Sequence, residues 1–354
     1  MKINVIIPFT AVTGGIKVMF QYINGLIEKG HEVNVYVPAI SYKFNYKGLK
    51  GTVERGRASL FNCLSWRKVK WFDLKVRVRV VPSINNLFIE DADVTIATAW
   101  PTAYSVNNLN NKKGKKVYFI QHYETWSGKL DKVEGSYDLS LNQIVISKWL
   151  KDLMINKHKQ SKVYLAYNGL ENSFIFNEEK KFNEKINILI MHHNLEWKGF
   201  SDGLEALKIV KNKYNNINVK CFGLEDYQND ILEYHKRPKK EKLKELYRES
   251  DIYIFPSRFE GWGLTVIEAM ANKCAVVGTK TGVLDDLGIN EVNSLISDIR
   301  DIEGLANNII RLIEDKKLLE KISNKGFEVA QSLELGNTIE NYEKILKEII
   351  ETGE

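Results

Sequence analysis

Cysteine and proline are both scarce in this 354-residue chain, with three of the one and six of the other. The cysteines (Cys63, Cys221 and Cys274) are odd in number and far apart, and no Cys-x-x-Cys or Cys/His metal spacing occurs. Neither a disulfide framework nor a bound metal is therefore expected, and the apolar residues around each cysteine point to buried, reduced thiols. A long apolar run is missing too: nothing approaches the roughly 18 residues that a membrane-spanning helix needs. The opening "MKINVIIPFTAV" lacks a signal peptide's long apolar core and small-residue cleavage site, so it reads as a first strand of a cytoplasmic protein. No short internal repeat, low-complexity tract or recognised nucleic-acid motif is present, and nucleic acid is not an expected partner.

What is present is an ordinary globular composition, 44% hydrophobic and 27% charged, in a chain long enough to split into two domains. The net charge of +6 is unevenly spread. Between Ser41 and Val80 eleven cations (Lys43, Lys47, Lys50, Arg55, Arg57, Arg67, Lys68, Lys70, Lys75, Arg77 and Arg79) face two acids, Glu54 and Asp73. Phe61, Leu64, Trp66, Trp71 and Phe72 are interleaved with them. A solvated lysine-rich face accounts for this, and so does a patch at residues 41–80 that meets anionic lipid headgroups or a phosphorylated acceptor.

Short β-branched runs alternate with longer segments of helical spacing along the whole chain. "INVIIPF" precedes a helix in which Val18, Met19, Tyr22, Ile23, Leu26 and Ile27 recur with helical period up to Gly30. "HEVNVYVP", "DVTIATA", "KVYFIQHY", "QIVISKW" and "VYLAYNGL" read as further strands. The polar, aperiodic "ENSFIFNEEKKFNEK" follows, and the alternation then restarts with "INILIMHH", "INVKCFG", "DIYIFPS", "CAVVGTK" and "NSLIS". The fold class predicted is α/β, with two doubly wound, Rossmann-like domains. Residues 1–168 together with 335–354 would form the first domain and 169–334 the second. The apolar stripe Ile339, Tyr342, Ile345, Leu346 and Ile349 of the last helix would return it to the first domain. Ligands of such sheets bind in the crevice beyond the carboxyl ends of the strands.

"FPSRFEGWGLTVIEAMANKCAVV" is the stretch with most chemistry in it. "DIYIF" is a buried strand, so the loop Arg258–Gly263 sits at its carboxyl end. Gly261 and Gly263 allow close backbone approach, and a helix starting near Leu264–Thr265 offers N–H groups to a phosphate. Glu260 and Glu268, each able to accept two hydroxyl hydrogen bonds, suit sugar diols. Together these describe a nucleotide-sugar site. Glu268 also has a purely structural explanation, because Thr265-Val-Ile-Glu268 reads as a capping box. Glu260 has no such explanation beyond an exposed acid.

The same stretch resembles the donor-site signature of retaining glycosyltransferases of family 4, Pro-Ser-x-x-Glu-Gly-aromatic-Gly-Leu-x-x-x-Glu-Ala-Met-Ala. Pro256, Ser257, Glu260, Gly261, Trp262, Gly263, Leu264, Glu268, Ala269, Met270 and Ala271 match it. Gly14–Gly15, "GHEV", "YNGL", Lys198–Gly199 and "RESDIYIFPS" stand in the family's order. The resemblance implies the GT-B architecture, with the two domains facing a central cleft. It implies that Glu268 holds the ribose and Glu260 the transferred sugar. Backbone N–H groups of Gly263, Leu264 and Thr265 would bind sugar hydroxyls and diphosphate, and Lys198 would neutralise the diphosphate without a metal or other cofactor. Gly14 and Gly15 would let a loop approach the phosphate and acceptor. His122, on its own residues a strand-end histidine, would face the donor sugar, and the backbone around Arg237 and Pro238 the base.

Two departures stand out. "HHNLEWKG" puts His193 where the family often has arginine, which leaves either a charged His193 or Lys198 with Arg258 at the diphosphate. "TGVLDD" keeps only Gly282 of a Gly-Gly-x-x-Glu element and offers Asp285 or Asp286. The implied activity is transfer of a hexose or deoxyhexose, with retention, from a UDP-, GDP- or dTDP-linked donor. The acceptor would be a glycan or lipid-linked glycan of cell-surface polysaccharide synthesis, at the inner membrane face. A donor-binding subunit without activity and a nucleotide-sugar epimerase are the alternatives.

Overall fold

A computed structural model describes residues 1–42, 48–65, 69–182 and 185–352. Lys43, Lys47, Trp66, Arg67, Lys68 and the side chain of Lys50 lie outside the described residues. The chain forms two compact units, Met1–Gly169 with Leu335–Glu354, and Leu170–Glu334.

The first unit is built on strands β1 (Lys2–Ile6), β2 (Glu32–Pro38), β3 (Val78–Val81), β4 (Val94–Ala97), β5 (Lys115–Ile120), β6 (Asn142–Val145) and β7 (Val163–Leu165). They are ordered β3-β2-β1-β4-β5-β6-β7, every pair parallel. The second unit holds β8 (Ile186–His192), β9 (Ile217–Gly223), β10 (Glu233–Lys236), β11 (Ile252–Phe255), β12 (Ala275–Thr279) and β13 (Leu295–Ser297). Their order is β10-β9-β8-β11-β12-β13, again all parallel. Parallel strands need crossover helices, and those helices bury both sheet faces. That is why central strands such as "VTIA" and "IYIF" are buried throughout and apolar but for Thr95, whose hydroxyl donates to the Lys113 carbonyl.

The amphipathic last helix, Leu335–Glu351, belongs to the first unit. Tyr342 packs on Tyr22 and Phe119, with ring centroids 4.6 and 5.3 Å apart. Ile339 lies over Gly25 of the helix Gly14–Glu28, where an added Cβ would come within 2.2 Å of Ile339 Cδ1. A glycine inside a helix is costly by propensity, and here it lets two helices touch.

The sequence missed the helix Gly48–Ser65. Among its described side chains the buried positions are Gly51, Ala58 and Asn62, which carry no apolar period. Cys63 is on this helix and exposed, against the expectation of a buried thiol, whereas Cys221 and Cys274 are buried. Trp71 and Phe72 also differ from a surface patch. Trp71 stacks on Phe20 at 5.4 Å and donates its indole N–H to the Thr10 carbonyl, and Phe72 lies 5.5 Å from Phe20.

Candidate active site

In the second unit the chain runs from β8 outward through β9 and β10, then returns to build β11, β12 and β13 on the other side. The loops leaving β8 and β11 therefore diverge from neighbouring strand ends, the place where open parallel sheets bind ligands. The two loops are tied together. Trp197 offers its carbonyl to the N–H groups of Arg258 and Phe259 at 2.7 and 3.2 Å. Gly199, at φ 63° and ψ 17°, makes this contact sterically possible, because a Cβ there would lie 1.9 Å from the Pro256 carbonyl oxygen.

The clamp delivers Lys198 to Glu260. Lys198 Nζ lies 2.6 Å from Glu260 Oε1, and Ser257 Oγ donates to the same oxygen at 3.1 Å. Glu260 is only 7% exposed, so this is no surface acid; burial of a carboxylate demands such partners. Arg258 is occupied elsewhere. Its Nε and one terminal nitrogen donate to both oxygens of buried Asp202 at 2.8 and 2.7 Å, and the other donates to Glu196 at 2.6 Å. A forked pair of this kind holds the guanidinium against the helix Phe200–Lys213, so Lys198 rather than Arg258 is the cation placed beside Glu260.

The helix Leu264–Ala271 starts two residues earlier than a Thr265 cap would require. Gly263 is its N-cap, in the left-handed region at φ 94° and ψ 57°, with no side-chain cap. Thr265 is thus inside the first turn, and the capping box expected from Thr265 and Glu268 does not form. Leu264 and Thr265 have no intrahelical acceptor for their N–H groups, as first-turn residues never do. Glu268 lies one turn in and receives a 3.0 Å hydrogen bond on Oε2 from the hydroxyl of buried Tyr247. Burial raises the Tyr247 phenol well above its ordinary pKa, with the Glu268 charge adding to the rise, so the phenol stays a donor. Nothing in the sequence linked residues 247 and 268, which sit on different helices.

Behind the loop, Gly282 (φ 57°) presses on Trp262, where a Cβ would meet the Trp262 carbonyl oxygen at 2.4 Å. The Val283 N–H donates to that same oxygen at 2.6 Å. Gly282 therefore supports the loop carrying Glu260. Asp286 is buried and Asp285 exposed.

His193 stands just past β8. Its Nδ1 accepts the Leu195 N–H at 3.0 Å, which leaves the proton of the neutral ring on Nε2. Partial burial and the nearby Lys198 charge lower its pKa. The acceptor role of Nδ1 and the lowered pKa both favour a neutral, single-donor His193 over a charged one. Arg237 follows β10 in the left-handed region, at φ 46°. Its N–H donates to Gly223 O at 2.7 Å and its Nε to Leu224 O at 2.8 Å, and its side chain is exposed.

Gly14, Gly15 and His122 are in the first unit. The two glycines open the helix Gly14–Glu28 instead of lying in a loop, with Thr13 capping it by accepting the Ile16 N–H at 3.2 Å. An added Cβ on Gly14 would meet nothing within 4 Å, while Gly15 is close to Gln121, which donates to its carbonyl at 2.9 Å. His122 follows β5 and meets Trp126 edge to face at 4.5 Å. Two residues on is Glu124, which sequence reasoning passed over. Its Oε2 is shut off from solvent without a hydrogen-bond partner, and burial pushes its pKa up to about 7, opposed by the Trp100 N–H.

Residues 172–329 match the family model described as glycosyl transferases group 1. The match supports a glycosyltransferase. An uncharacterized glycosyltransferase of Methanocaldococcus jannaschii is 22% identical over 252 residues, 68% of this chain and 64% of the relative. The capsular polysaccharide biosynthesis glycosyltransferase CapM of Staphylococcus aureus is 26% identical over 209 residues, 52% of this chain and 55% of CapM. The chain thus spans less than two thirds of the length of these two relatives. HepE of Anabaena, solved in complex with UDP and glucose, superposes with a TM-score of 0.72 at 14% identity, over 98% of this chain and 99% of HepE. The fold is GT-B.

Proposed function

We propose that the chain is a retaining, metal-independent hexosyltransferase of family 4. On this proposal it moves a hexose or deoxyhexose from a nucleoside-diphosphate sugar to a hydroxyl of a glycan or lipid-linked glycan in cell-surface polysaccharide synthesis. The observation that carries this is the Lys198–Glu260–Ser257 cluster at the strand-order reversal, beside a helix N-terminus and the oriented Glu268. The polysaccharide setting is supported by CapM and a uridine nucleotide by HepE, with GDP- and dTDP-linked donors as the other candidates. The cytoplasm, at the inner membrane face, is where such a donor and acceptor meet.

Glu268 holds the ribose hydroxyls, and the Arg237 backbone lies toward the base. The N–H groups of Gly263, Leu264 and Thr265, the Nε2–H of His193 and the Lys198 ammonium receive the diphosphate, with no further cofactor. As the bond from the anomeric carbon to phosphate oxygen breaks, charge grows on the leaving diphosphate, where these fixed donors stabilise it most. The acceptor oxygen attacks from the same face and its proton passes to the departing phosphate oxygen. Glu260 contacts the transferred sugar.

The test is incubation of the purified protein with UDP-, GDP- and dTDP-linked hexoses, followed by anomer-resolved NMR. One donor is expected to hydrolyse slowly to nucleoside diphosphate and free sugar, with the donor's anomer formed first. A C2-epimerised sugar would indicate an epimerase instead, and tight binding without turnover a binding subunit.

A further inference from the structure

The helix Gly48–Ser65 meets the first unit through a narrow face. Among its described side chains Gly51, Ala58 and Asn62 are the buried positions, and Asn62 fixes it by accepting the Thr10 N–H at 3.1 Å and donating to the Pro38 carbonyl at 2.9 Å. Val53, Leu60, Phe61 and Leu64 recur at i, i+7, i+8 and i+11 on the other side, and they are 51, 61, 49 and 63% exposed. Four large apolar side chains in a row, pointing away from the body that carries the helix, form a patch with a purpose beyond folding. Arg57, exposed, falls on the same face four residues after Val53. Cys63, next to Leu64, lines a surface depression with Arg77 and Arg79, and Arg79 is paired with Glu90. Glu54 is the helix's one acid.

We propose that this helix is a membrane-docking element, laying Val53, Leu60, Phe61 and Leu64 into the surface of an anionic bilayer while Arg57 and Arg77 meet lipid phosphates. An apolar stripe edged by cations is what an interfacial helix presents, and its binding sums buried apolar area with attraction to anionic lipid. Charge favours this occupant over a second copy of the chain: pairing two such stripes would bring two cation-edged faces together, and like-charge juxtaposition is unfavourable. The anchors also differ from those a reading of the sequence suggests, since Trp71 and Phe72 are turned inward and Val53 and Leu60 take their place. The inference stands on the first unit's surface and does not rest on the glycosyltransferase reading.

Co-sedimentation with phosphatidylglycerol–phosphatidylcholine vesicles and with phosphatidylcholine vesicles tests it. The protein is expected to bind the anionic vesicles more tightly, and less so as salt rises. Leu60→Ser/Phe61→Ser/Leu64→Ser and Arg57→Glu/Arg77→Glu should each lower partitioning by about tenfold or more with an unchanged melting temperature, because the replaced side chains are exposed. Equal binding by both variants and the parent would overturn the proposal. So would a dimer in light scattering that the triple variant dissociates, or binding to both vesicle types alike at all salt concentrations.

Discussion

Glu260→Gln is expected to lower donor turnover roughly 10²–10³-fold, the range seen when one positioned transition-state group is removed, while nucleoside diphosphate affinity stays within about threefold. The substitution keeps the shape of the side chain and the acceptor oxygen that Ser257 reaches. It removes the charge that holds Lys198 at 2.6 Å. On the proposed function Lys198 is then released toward the diphosphate, so ground-state binding is preserved or improved, whereas the sugar loses its carboxylate as positive charge develops at the anomeric carbon. A parallel measurement of kcat and of diphosphate Kd separates the two effects. Losses of equal size in both would remove Glu260 from the chemistry and leave it a structural partner of the lysine.

The second large effect is predicted for Gly199→Ala. A non-glycine residue in the left-handed region costs about 1–2 kcal/mol by itself. Here the new Cβ would also sit 1.9 Å from the Pro256 carbonyl oxygen and 2.8 Å from its carbon, so backbone must move. Together these should destabilise the second unit by roughly 3–5 kcal/mol, a fall in melting temperature on the order of 10 °C. Activity should drop further than stability implies, because the shifted loop carries Lys198 away from Glu260. Gly336→Ala is the control, since its Cβ enters open space. A Gly199→Ala protein with the parent's melting temperature and turnover would show that the clamp between the two loops is not needed.

Both doubly wound sheets and the returning last helix were legible because they follow from burial: β-branched runs and an apolar stripe declare which faces are covered. The chemistry-bearing loop was legible from its glycines and acids. Three features were not. The helix Gly48–Ser65 is held by glycine, alanine and asparagine and shows its apolar side to solvent, so its pattern names the wrong face. The cap of the helix at Leu264 was misassigned because Thr265 and Glu268 satisfy the spacing of a capping box, while Gly263 takes the left-handed conformation that ends the loop there. The partners of the site's charged groups were hidden by distance along the chain: Asp202 for Arg258, Tyr247 for Glu268, and Glu124 enclosed beyond β5. Pairings of that kind are made by the topology, which brings separate strand ends together, and local sequence does not encode them.

The central claim is that the strand-order reversal between β8 and β11 holds a nucleoside diphosphate, with Glu268 on its ribose. Isothermal titration of UDP, GDP and dTDP into the parent protein and into Glu268→Ala measures it directly. One diphosphate should bind the parent with one-to-one stoichiometry, and the variant should bind it about 10–100-fold more weakly, the loss expected for hydrogen bonds to a charged group. Binding of none of the three, or equally tight binding by Glu268→Ala, would contradict the account.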